Sequence, residues 1–385
     1  MSKVTVSETV KYIGCDDHDL DLFESQYEVP NGVSYNSYLI LDDKIAIMDT
    51  ADARVTDEWF ANLSEELAGR QPDYLVISHL EPDHAANIGK VVDKYPGITL
   101  VGSAKTFAML PQFFDMDITD KTLIVKEGDR LELGKHTLTF IMAPMVHWPE
   151  VMVEYESTEK ILFSADGFGK FGALDTDEPW DCEARRYYMN IVGKYGASVQ
   201  ALLKKTSALD VEIICPLHGP VLKDNLGHYF EKYDIWSSYK PEDEGVTIAY
   251  GSIHGNTAEA VKEFAEMLKD RGVKVSLFDL ARDDMAEAIE DAFRYDRLVI
   301  ASPTYDGALF PCVEDFLYHL KIKNYQSRRI GIIENGSWGP LAGRLITEYV
   351  QGFKNCEIAA PVVTIKSSLN AESRKALEEL AELIK

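Results

Sequence analysis

The chain has 385 residues, 46% of them apolar and 27% charged, which is typical of a globular protein long enough for two domains. Its 39 basic and 64 acidic residues give a net charge of −25, which disfavours nucleic acid and anionic membranes as partners. Five scattered cysteines form no Cys-x-x-Cys pair, the start lacks the apolar core of a signal peptide, and no apolar stretch approaches the length of about 20 residues needed for a membrane span. Together these features predict a cytoplasmic protein.

Up to about residue 235, the sequence predicts strands, turns and helices in alternation. The apolar runs 38–41 and 44–49 flank Asp42 and Asp43, which is a hairpin signal, and a helix is predicted over Thr56–Leu67. Further buried strands are predicted at 74–77 and 137–142. This order of elements predicts an α/β fold.

The stretch 78–84, Ser-His-Leu-Glu-Pro-Asp-His, directly follows the strand predicted at 74–77. Pro82 lacks an amide hydrogen and disfavours helix at the residue before it, so we predict that a turn holds this stretch and that a helix starts near Ala85. The alternative is a polar loop in which Asp83 caps that helix. The potential metal ligands in the stretch are His79, Glu81, Asp83 and His84.

Three more potential ligands each lie just after an apolar run. His147 follows the strand predicted at 137–142, Asp166 ends the run 161–165, and His218 follows the run 211–217. Sites on layered α/β folds are usually built on such loops. Four histidines and three carboxylates suffice for two metal ions with one bridging carboxylate, and they leave coordination positions open for a substrate.

The types of ligand indicate which metal is bound. Imidazoles and carboxylates without a thiolate suit zinc, manganese or iron. Zinc hydrolases of the metallo-β-lactamase type resemble this pattern but carry His-x-His-x-Asp-His, whereas Glu81 replaces the second of those histidines here. An added anionic oxygen stabilises higher oxidation states, so Glu81 favours redox-active iron over zinc.

With its distant partners, the motif His-x-Glu-x-Asp-His at 79–84 resembles the ligand set of the flavodiiron proteins. The stretches Ser-Tyr-Asn-Ser-Tyr-Leu-Ile at 34–40 and His-Trp-Pro-Glu at 147–150 also resemble theirs, and the resemblance covers essentially the whole chain. It implies that one iron is bound by His79, Glu81 and His147. It implies that the other is bound by Asp83, His84 and His218, with Asp166 bridging the two.

The polar segment 239–245, which contains Pro241 and Gly245, predicts a boundary between domains 1–245 and 246–385. The resemblance implies that the first is a metallo-β-lactamase-like αβ/βα sandwich. After the boundary, strands are predicted at 246–251, 273–279, 296–301, 329–334 and 357–366, and helices at 257–271, 283–293, 312–321, 340–352 and 371–384. Five alternating βα units predict a doubly wound parallel five-stranded sheet with its ligand at the C-terminal strand edge. The resemblance implies that this sheet is flavodoxin-like.

Three loops at that edge are predicted to bind FMN. The small and hydroxylated residues at 251–257 leave amides free to surround a phosphate at a helix N-terminus; the alternative is a turn capped by Thr257. The turn resembles the flavodoxin phosphate loop, with His254 in place of the middle Thr, and its lack of Lys and Arg favours a monophosphate. Tyr305 and Trp338 in the other loops are candidates to stack on the flavin ring. The predicted flavin-binding residues are Ser252, Ile253, His254, Gly255, Asn256, Thr257, Pro303, Thr304, Tyr305, Asp306, Gly307, Asn335, Gly336, Ser337, Trp338 and Gly339.

A diiron site and FMN on one chain predict a reductase in which the flavin passes electrons singly to the metals. The resemblance implies reduction of dioxygen to water, of nitric oxide to nitrous oxide, or of both, for detoxification in an anaerobic or microaerobic cell. It also implies a head-to-tail homodimer, or a dimer of dimers, with one subunit's FMN against the other's irons. The expected electron donor is rubredoxin, because no rubredoxin-like Cys-x-x-Cys module follows Lys385. A flavin reductase or a reduced deazaflavin is the alternative.

Two interpretations from other classes stay open at this point. One is a dinuclear zinc hydrolase fused to a flavodoxin-like domain, which Glu81 disfavours. The other is a non-catalytic sensor that binds a diatomic molecule. Metal content separates the hydrolase from the reductase, and turnover with an NADH-driven donor system separates the enzyme from the sensor.

Two further features have a functional and a structural interpretation each. Trp148 is predicted either as a wall of the metal pocket or as a core aromatic. The basic residues Lys321, Lys323, Arg328 and Arg329 are predicted either as a patch near the flavin edge that receives an acidic donor or as a solvated loop.

Overall fold

The computed structural model describes residues 4–359 and 361–385, which form two compact units. One unit comprises the described residues up to Tyr187 together with Ala197–Asp234. The other comprises Tyr188–Gly196 together with the described residues from Ile235 onward. Within these residues, no helix is both long and apolar enough to cross a bilayer.

The first unit is built on two sheets and two short ribbons. Its strands are β1 Val10–Tyr12, β2 Cys15–Asp17, β3 Leu22–Phe23, β4 Tyr27–Glu28, β5 Val33–Tyr35, β6 Tyr38–Ile40, β7 Ala46–Met48, β8 Tyr74–Val76, β9 Thr99–Ser103, β10 Thr122–Val125, β11 Arg130–Glu132, β12 Thr137–Met142, β13 Met152–Glu156, β14 Ile161–Phe163 and β15 Ile213–Cys215. One sheet has the order β1-β6-β7-β8-β9-β10 and is parallel from β7 onward. The other has the order β11-β12-β13-β14-β15 and is antiparallel except for β14 and β15. The ribbons pair β2 with β5 and β3 with β4.

The helices that accompany these sheets are α1 Thr56–Leu67, α2 Pro82–Ala85, α3 Ile88–Lys94, α4 Ala104–Met109, α5 Trp180–Tyr187, α6 Gly196–Thr206 and α7 Leu226–Ser237. The predicted helix at 56–67 is therefore confirmed. It buries Trp59, Leu63 and Leu67, which are spaced four residues apart and so share one face. A π-helix at Tyr188–Val192 and a 3₁₀ turn join α5 to α6.

The core of the first unit lies between its two sheets. Tyr38, Met48 and Val76 from the first sheet belong to the same buried apolar cluster as Phe140 and Phe163 from the second. Alternate side chains of a strand point to one face, so each sheet contributes one face to this core. The two sheets with their helices form the sandwich that the resemblance implies.

The second unit contains a parallel sheet flanked by helices. Its strands are β16 Asp243–Tyr250, β17 Val275–Asp279, β18 Tyr295–Tyr305, β19 Ala308–Leu309, β20 Arg329–Asn335, β21 Glu357–Ile358 and β22 Val363–Ile365. Its helices are α8 Asn256–Lys269, α9 Met285–Arg294, α10 Pro311–Ile322, α11 Ala342–Gln351 and α12 Ala371–Ile384. The order is β17-β16-β18-β20, and both β21 and β22 pair with β20 on the far side. This order, 2-1-3-4-5, is that of a flavodoxin-like doubly wound sheet, which is the type of sheet that was predicted.

Two details of this sheet differ from the prediction. The fifth strand, predicted as one run at 357–366, consists of the short strands β21 and β22, and residue 360 lies outside the described residues. In addition, β18 extends to Tyr305 and pairs antiparallel with β19, a strand of two residues that the sequence did not reveal. This small hairpin shapes one of the predicted flavin loops.

The segment 188–196 is an integral part of the second unit. The Lys323 Nζ donates to the carbonyl of Asn190 at 2.6 Å, and the Asn324 amide donates to the carbonyl of Lys194 at 2.8 Å. The Asn190 amide in turn donates to the carbonyl of Ala286 at 3.2 Å. These bonds tie a segment from the middle of the chain to α9 and to the end of α10.

The predicted basic patch is wrong for two of its four residues. Lys323 is buried and bonded to the 188–196 segment, and Arg328 is buried with its guanidinium donating to backbone carbonyls, including those of Tyr295 and Tyr239. A cation that is buried on carbonyl oxygens cannot receive a donor protein. The four basic residues that lie close together in the sequence therefore do not form one surface patch.

Candidate diiron and flavin sites

The metal-site loops of the first unit begin where β7 and β8 end. Asp49, which follows β7, accepts from the amides of Ser78 and His79 at 2.8 and 3.3 Å. The Thr50 hydroxyl and amide both donate to the carbonyl of His84, at 2.7 and 2.9 Å. These bonds hold both ends of the ligand stretch 78–84 against the neighbouring strand.

The ligand stretch contains a short helix where a turn was predicted. Glu81 is the N-cap of α2 (Pro82–Ala85), and Pro82 occupies the first helical position, where its missing N–H costs nothing. The following helix, predicted from Ala85, is α3 and begins at Ile88. This helical turn directs the Asp83 carboxylate and the His84 ring into the same small volume.

Four of the predicted ligands form a first group. His79, Glu81, His147 and Asp166 each offer an atom to the same small volume. The Glu81 Oε2 lies 3.2 Å from His79 Nε2 and 3.0 Å from His147 Nε2. The Asp166 Oδ2 lies 3.4 and 3.1 Å from the same two nitrogens.

The other three predicted ligands, Asp83, His84 and His218, form a second group. The Asp83 Oδ2 lies 3.3 Å from His84 Nε2 and 3.2 Å from His218 Nε2, and these two nitrogens are 3.1 Å apart. The Asp166 Oδ1 lies 3.3 Å from His84 Nε2 and 4.0 Å from His218 Nε2. One carboxylate therefore presents one oxygen to each group.

The spacing of these atoms fits bound metal ions. A bond of about 2.1 Å from metal to ligand places adjacent ligands about 3.0 Å apart in an octahedron and about 3.4 Å apart in a tetrahedron. Most separations within the two groups fall in this range. Among the described residues, both Asp83 oxygens, the Asp166 Oδ1 and the His147 Nε2 are buried without a hydrogen-bond partner. Buried polar atoms are rarely left unpaired, so the residues present fit two cations.

Two of the histidine rings are oriented by acceptors behind them. The Glu150 Oε1 lies 2.8 Å from His79 Nδ1 and also accepts from the amide of Leu80 at 2.9 Å. The carbonyl of Ser34 lies 2.7 Å from His218 Nδ1. Both acceptors lack a proton of their own, so each Nδ1 carries the hydrogen and each Nε2 presents its lone pair to the group.

The charges of the groups shift each other's pKa. Burial favours the neutral form of Asp166, but the surrounding histidines hold the pKa of its carboxyl well below the usual value. Burial likewise opposes charge on His147, yet the carboxylates of Asp166 and Glu81 raise the pKa of its ring to about 9. In the metal-free chain, a proton therefore competes with the metal for the same nitrogen.

Other groups at this site were missed or left open by the sequence. Partial desolvation and the charge of Glu81, to which it hydrogen-bonds, raise the pKa of Glu24 to about 7. Glu150 was recognised only as part of a motif, without its role behind His79. The Trp148 ring lies edge-on to the His79 ring at 5.2 Å, which favours the interpretation of Trp148 as a wall of the site.

The second unit has a cavity of about 610 Å³ at the carboxyl ends of its strands. Binding sites for small molecules and cofactors usually measure about 300–1,000 Å³. All predicted flavin-binding residues line it except Gly255 and Tyr305, and Ser367 lines it without having been predicted. Gly255 has a φ of 95° and precedes α8, while the Tyr305 ring packs edge-on against Phe310.

Side chains tie the loops around this cavity together. The Ser252 hydroxyl accepts from the amides of Gly255 and Ala258, both at 3.2 Å, and so shapes the turn before α8. Asn335 bonds the amide of Ser367 at 3.0 Å and its carbonyl at 2.9 Å. The Thr304 hydroxyl accepts from the amides of Leu341 and Ala342 at the start of α11. Three loops and the segment after β22 therefore form one preformed cradle.

The Trp338 ring at the rim of this cavity is 87% exposed. A large aromatic that finds no cover within its own chain is typical of a residue that contacts a ligand or a partner.

Known proteins resemble this chain in sequence. The family model described as "ODP family beta lactamase" matches residues 33–219. An uncharacterized protein of Methanocaldococcus jannaschii is 31% identical, over 82% of this chain and 81% of its own. The nitric oxide reductase of Moorella thermoacetica is 28% identical, over 99% of this chain and 98% of its own.

Solved structures agree with these relatives over the whole chain. The rubredoxin oxygen:oxidoreductase of Desulfovibrio gigas superposes with a TM-score of 0.91 at 26% identity, covering 99% of this chain and 97% of that one. The flavodiiron protein of Giardia intestinalis has the same fold, with a TM-score of 0.89 at 23% identity and coverage of 100% and 96%. The predicted fold class, a metallo-β-lactamase-like sandwich followed by a flavodoxin-like sheet, is confirmed. The chain belongs to the flavodiiron protein family.

Proposed function

We propose that this chain is an oxidoreductase that reduces dioxygen to water, nitric oxide to nitrous oxide, or both, at two iron ions supplied with electrons by FMN. The main support is Asp166, whose two oxygens face two separate groups of histidine and carboxylate ligands. Two irons bound there would supply open coordination positions and the electrons that reduce a diatomic molecule, while FMN would supply further electrons one at a time.

The ligands divide between the two ions as the two groups divide. His79, Glu81 and His147 would hold one iron, and Asp83, His84 and His218 would hold the other, with Asp166 shared. Glu81 gives the first ion an anionic oxygen where a zinc hydrolase has a neutral imidazole. This ligand supports redox chemistry over hydrolysis.

The residues around the ligands orient two of the rings and shield part of the site from solvent. The Glu150 carboxylate and the Ser34 carbonyl fix two of the imidazoles from behind. Aromatic rings then cover the ligands: Trp148 lies against His79, and Phe23 packs edge-on against His218 at 5.4 Å. An apolar wall around charged ligands excludes bulk water, which strengthens the electrostatic interactions inside.

We infer that residues 1–245 carry the metals and residues 246–385 carry the flavin. The cavity that Ser252, Asn335 and Trp338 line would hold FMN, with its phosphate at the N-terminus of α8. The exposed Trp338 leaves this cradle accessible to a partner surface. An electron donor of the rubredoxin kind is consistent with the name of the Desulfovibrio relative.

We infer further that the chain works as a head-to-tail homodimer, or a dimer of dimers, in the cytoplasm. The five cysteines, all free thiols in the structure, support a reducing compartment. A mixing experiment tests the dimer: Asp166→Asn removes the bridging ligand, and Ser252→Asp places a negative charge beside the phosphate loop. If flavin and irons meet across subunits, refolding the two inactive variants together restores part of the activity. If each chain works alone, the mixture stays inactive.

The first measurement is the metal and flavin content per chain of protein purified without oxygen from iron-replete cells. Two irons and one FMN are expected, together with NADH-driven consumption of dioxygen or nitric oxide through a rubredoxin and its reductase. The ratio of kcat/KM for the two gases then assigns the substrate. Two zinc ions under the same conditions would instead favour the hydrolase, and a loaded protein that turned over neither gas would favour the sensor.

A further inference from the structure

The first unit contains a small enclosed cavity separate from the metal groups. It leaves about 10 Å³ for the centre of a water-sized sphere, which is about the least space that one molecule the size of water needs. The fully buried apolar side chains around it are those of Val146, Val153, Leu162, Phe168 and Val199.

The few polar groups at this cavity are already bonded within the chain. The Ser164 hydroxyl donates to the carbonyl of Gly167 at 2.6 Å, and the Thr206 hydroxyl bonds the carbonyl of Leu202 at 3.2 Å. The Tyr233 hydroxyl accepts from the amide of Phe168 at 2.5 Å. The surface that faces the cavity is almost entirely apolar, and a buried water needs two to four polar partners, so this cavity disfavours water.

The cavity lies directly behind two of the metal-site loops. Val146 immediately precedes the ligand His147, and Gly167 and Phe168 immediately follow the bridging Asp166. On its other side the cavity is closed by Leu202 and Leu203 of α6, which are only half-buried. One helix turn therefore separates the cavity from solvent, and the ligand loops separate it from the metals.

We infer that this cavity binds an apolar diatomic gas, dioxygen or nitric oxide, and that it is a waiting position for the substrate next to the diiron site. The inference rests on the proposed function for the identity of the gas, but not for the binding itself. Apolar diatomic molecules make no hydrogen bonds that they would lose on leaving water, whereas water would lose its own on entering. Dispersion contacts with the apolar lining favour the gas further.

Xenon is the probe for binding, because it occupies dry apolar cavities and scatters X-rays strongly. Crystals of the metal-loaded protein under xenon pressure are expected to show one xenon atom against Val199 and Phe168. Val199→Leu adds a methylene to the cavity and should abolish this xenon site. Val10→Leu makes the same change at a buried valine outside the cavity and should retain it. Val199→Ala enlarges the cavity and should raise the occupancy.

Steady-state kinetics test whether the gas in the cavity is substrate. Relative to Val10→Leu, the Val199→Leu enzyme should show a severalfold higher KM for the gas that waits there, with kcat, iron content and FMN content unchanged. Assays with dioxygen and with nitric oxide identify which gas is affected.

Three results would overturn the inference. The first is ordered water, or no xenon, in the cavity of the unmodified protein and of Val199→Ala. The second is a xenon site that survives Val199→Leu, since the bound atom then lies elsewhere. The third is xenon bound as expected while KM for both gases is unchanged, which refutes the waiting position. Failure of the proposed function would look different, because the xenon site would be present in a protein that turns over neither gas.

Discussion

Replacing Asp166 with asparagine tests the arrangement of the two ligand groups most directly. The carboxylate lies 3.1 Å from His147 on one side and 3.3 Å from His84 on the other, and it is fully buried. Asparagine has nearly the same shape, but only one of its two terminal atoms can coordinate a metal. Its amide nitrogen carries hydrogens, and a cation would repel it.

The size of the effect follows from the number of ligands. A metal ion held by four protein ligands gains about 10–16 kcal/mol, so one ligand contributes roughly 2.5–4 kcal/mol. The group that faces the asparagine nitrogen loses one of its four ligands. Its affinity should therefore fall about 10²- to 10³-fold, while the group that faces the carbonyl oxygen is weakened less. At metal concentrations that fill both sites of the unmodified chain, the variant should hold one ion.

An anaerobic titration with a competing chelator measures both affinities, and flavin absorbance measures FMN in the same sample. FMN content should be unchanged, because every residue that lines the flavin cavity lies in the other unit. Asp181→Asn is the matched control, since Asp181 pairs with His228 at 2.6 Å on the surface of the same unit. Two ions bound to Asp166→Asn as tightly as to this control would refute the bridging role.

Three further changes have defined outcomes. Glu150→Gln weakens the hydrogen-bond acceptor behind the His79 ring. It should lower the metal affinity about 10- to 100-fold in the same chelator titration. Unchanged affinity would show that the His79 ring does not need this hydrogen bond to bind metal. Asn335→Ala removes the hydrogen bonds to the segment after β22. The Kd for FMN, measured by fluorescence titration, should rise, while the iron content should stay unchanged. An unaltered Kd would mean that the cradle holds its shape without these bonds. The buried Glu156 lies 3.2 Å from His136 and raises the pKa of that ring. The free energy that the charged ring adds to folding is therefore complete below the pKa of about 6.5 that the ring has in the unfolded chain. It is lost as the pH rises through the higher pKa of the folded chain. Glu156→Gln should therefore cost about 1.5–3 kcal/mol at pH 6 and less at pH 8.5 in urea unfolding, and an equal cost at both pH values would contradict this account.

Most of the fold could be predicted because its elements are local in sequence. Helix 56–67 has apolar residues at helical spacing. In the second half of the chain, strands and helices alternate and are separated by polar turns. The metal-ligand candidates could also be found, because each follows an apolar run and parallel or adjacent strands bring such positions to one edge. The type of each residue and its position after a predicted strand were sufficient to select it as a candidate ligand.

The remaining features depend on contacts that sequence spacing does not reveal. Glu150 acts on His79 across 71 positions, and Ser367 reaches the flavin cavity only because β22 pairs with β20. The helix α2 was missed because Pro82 was taken as a helix breaker, although proline is favoured at a first helical position. Burial of Lys323 and Arg328 was missed because a run of basic letters carries no sign of which carbonyls surround each side chain.

The position of the segment 188–196 has a consequence for how this chain can be divided. A single cut near residue 245 yields two pieces that each look like a complete module in the sequence. The flavin-side piece would nevertheless lack the carbonyl of Asn190, on which the buried ammonium of Lys323 rests, and the carbonyl of Lys194, to which Asn324 donates. Transplanting the flavin module into another protein, or expressing it alone, therefore requires these nine residues together with the chain from Ile235 onward. The chain passes between the two units at three points, after residues 187, 196 and 234, so one cut does not separate them.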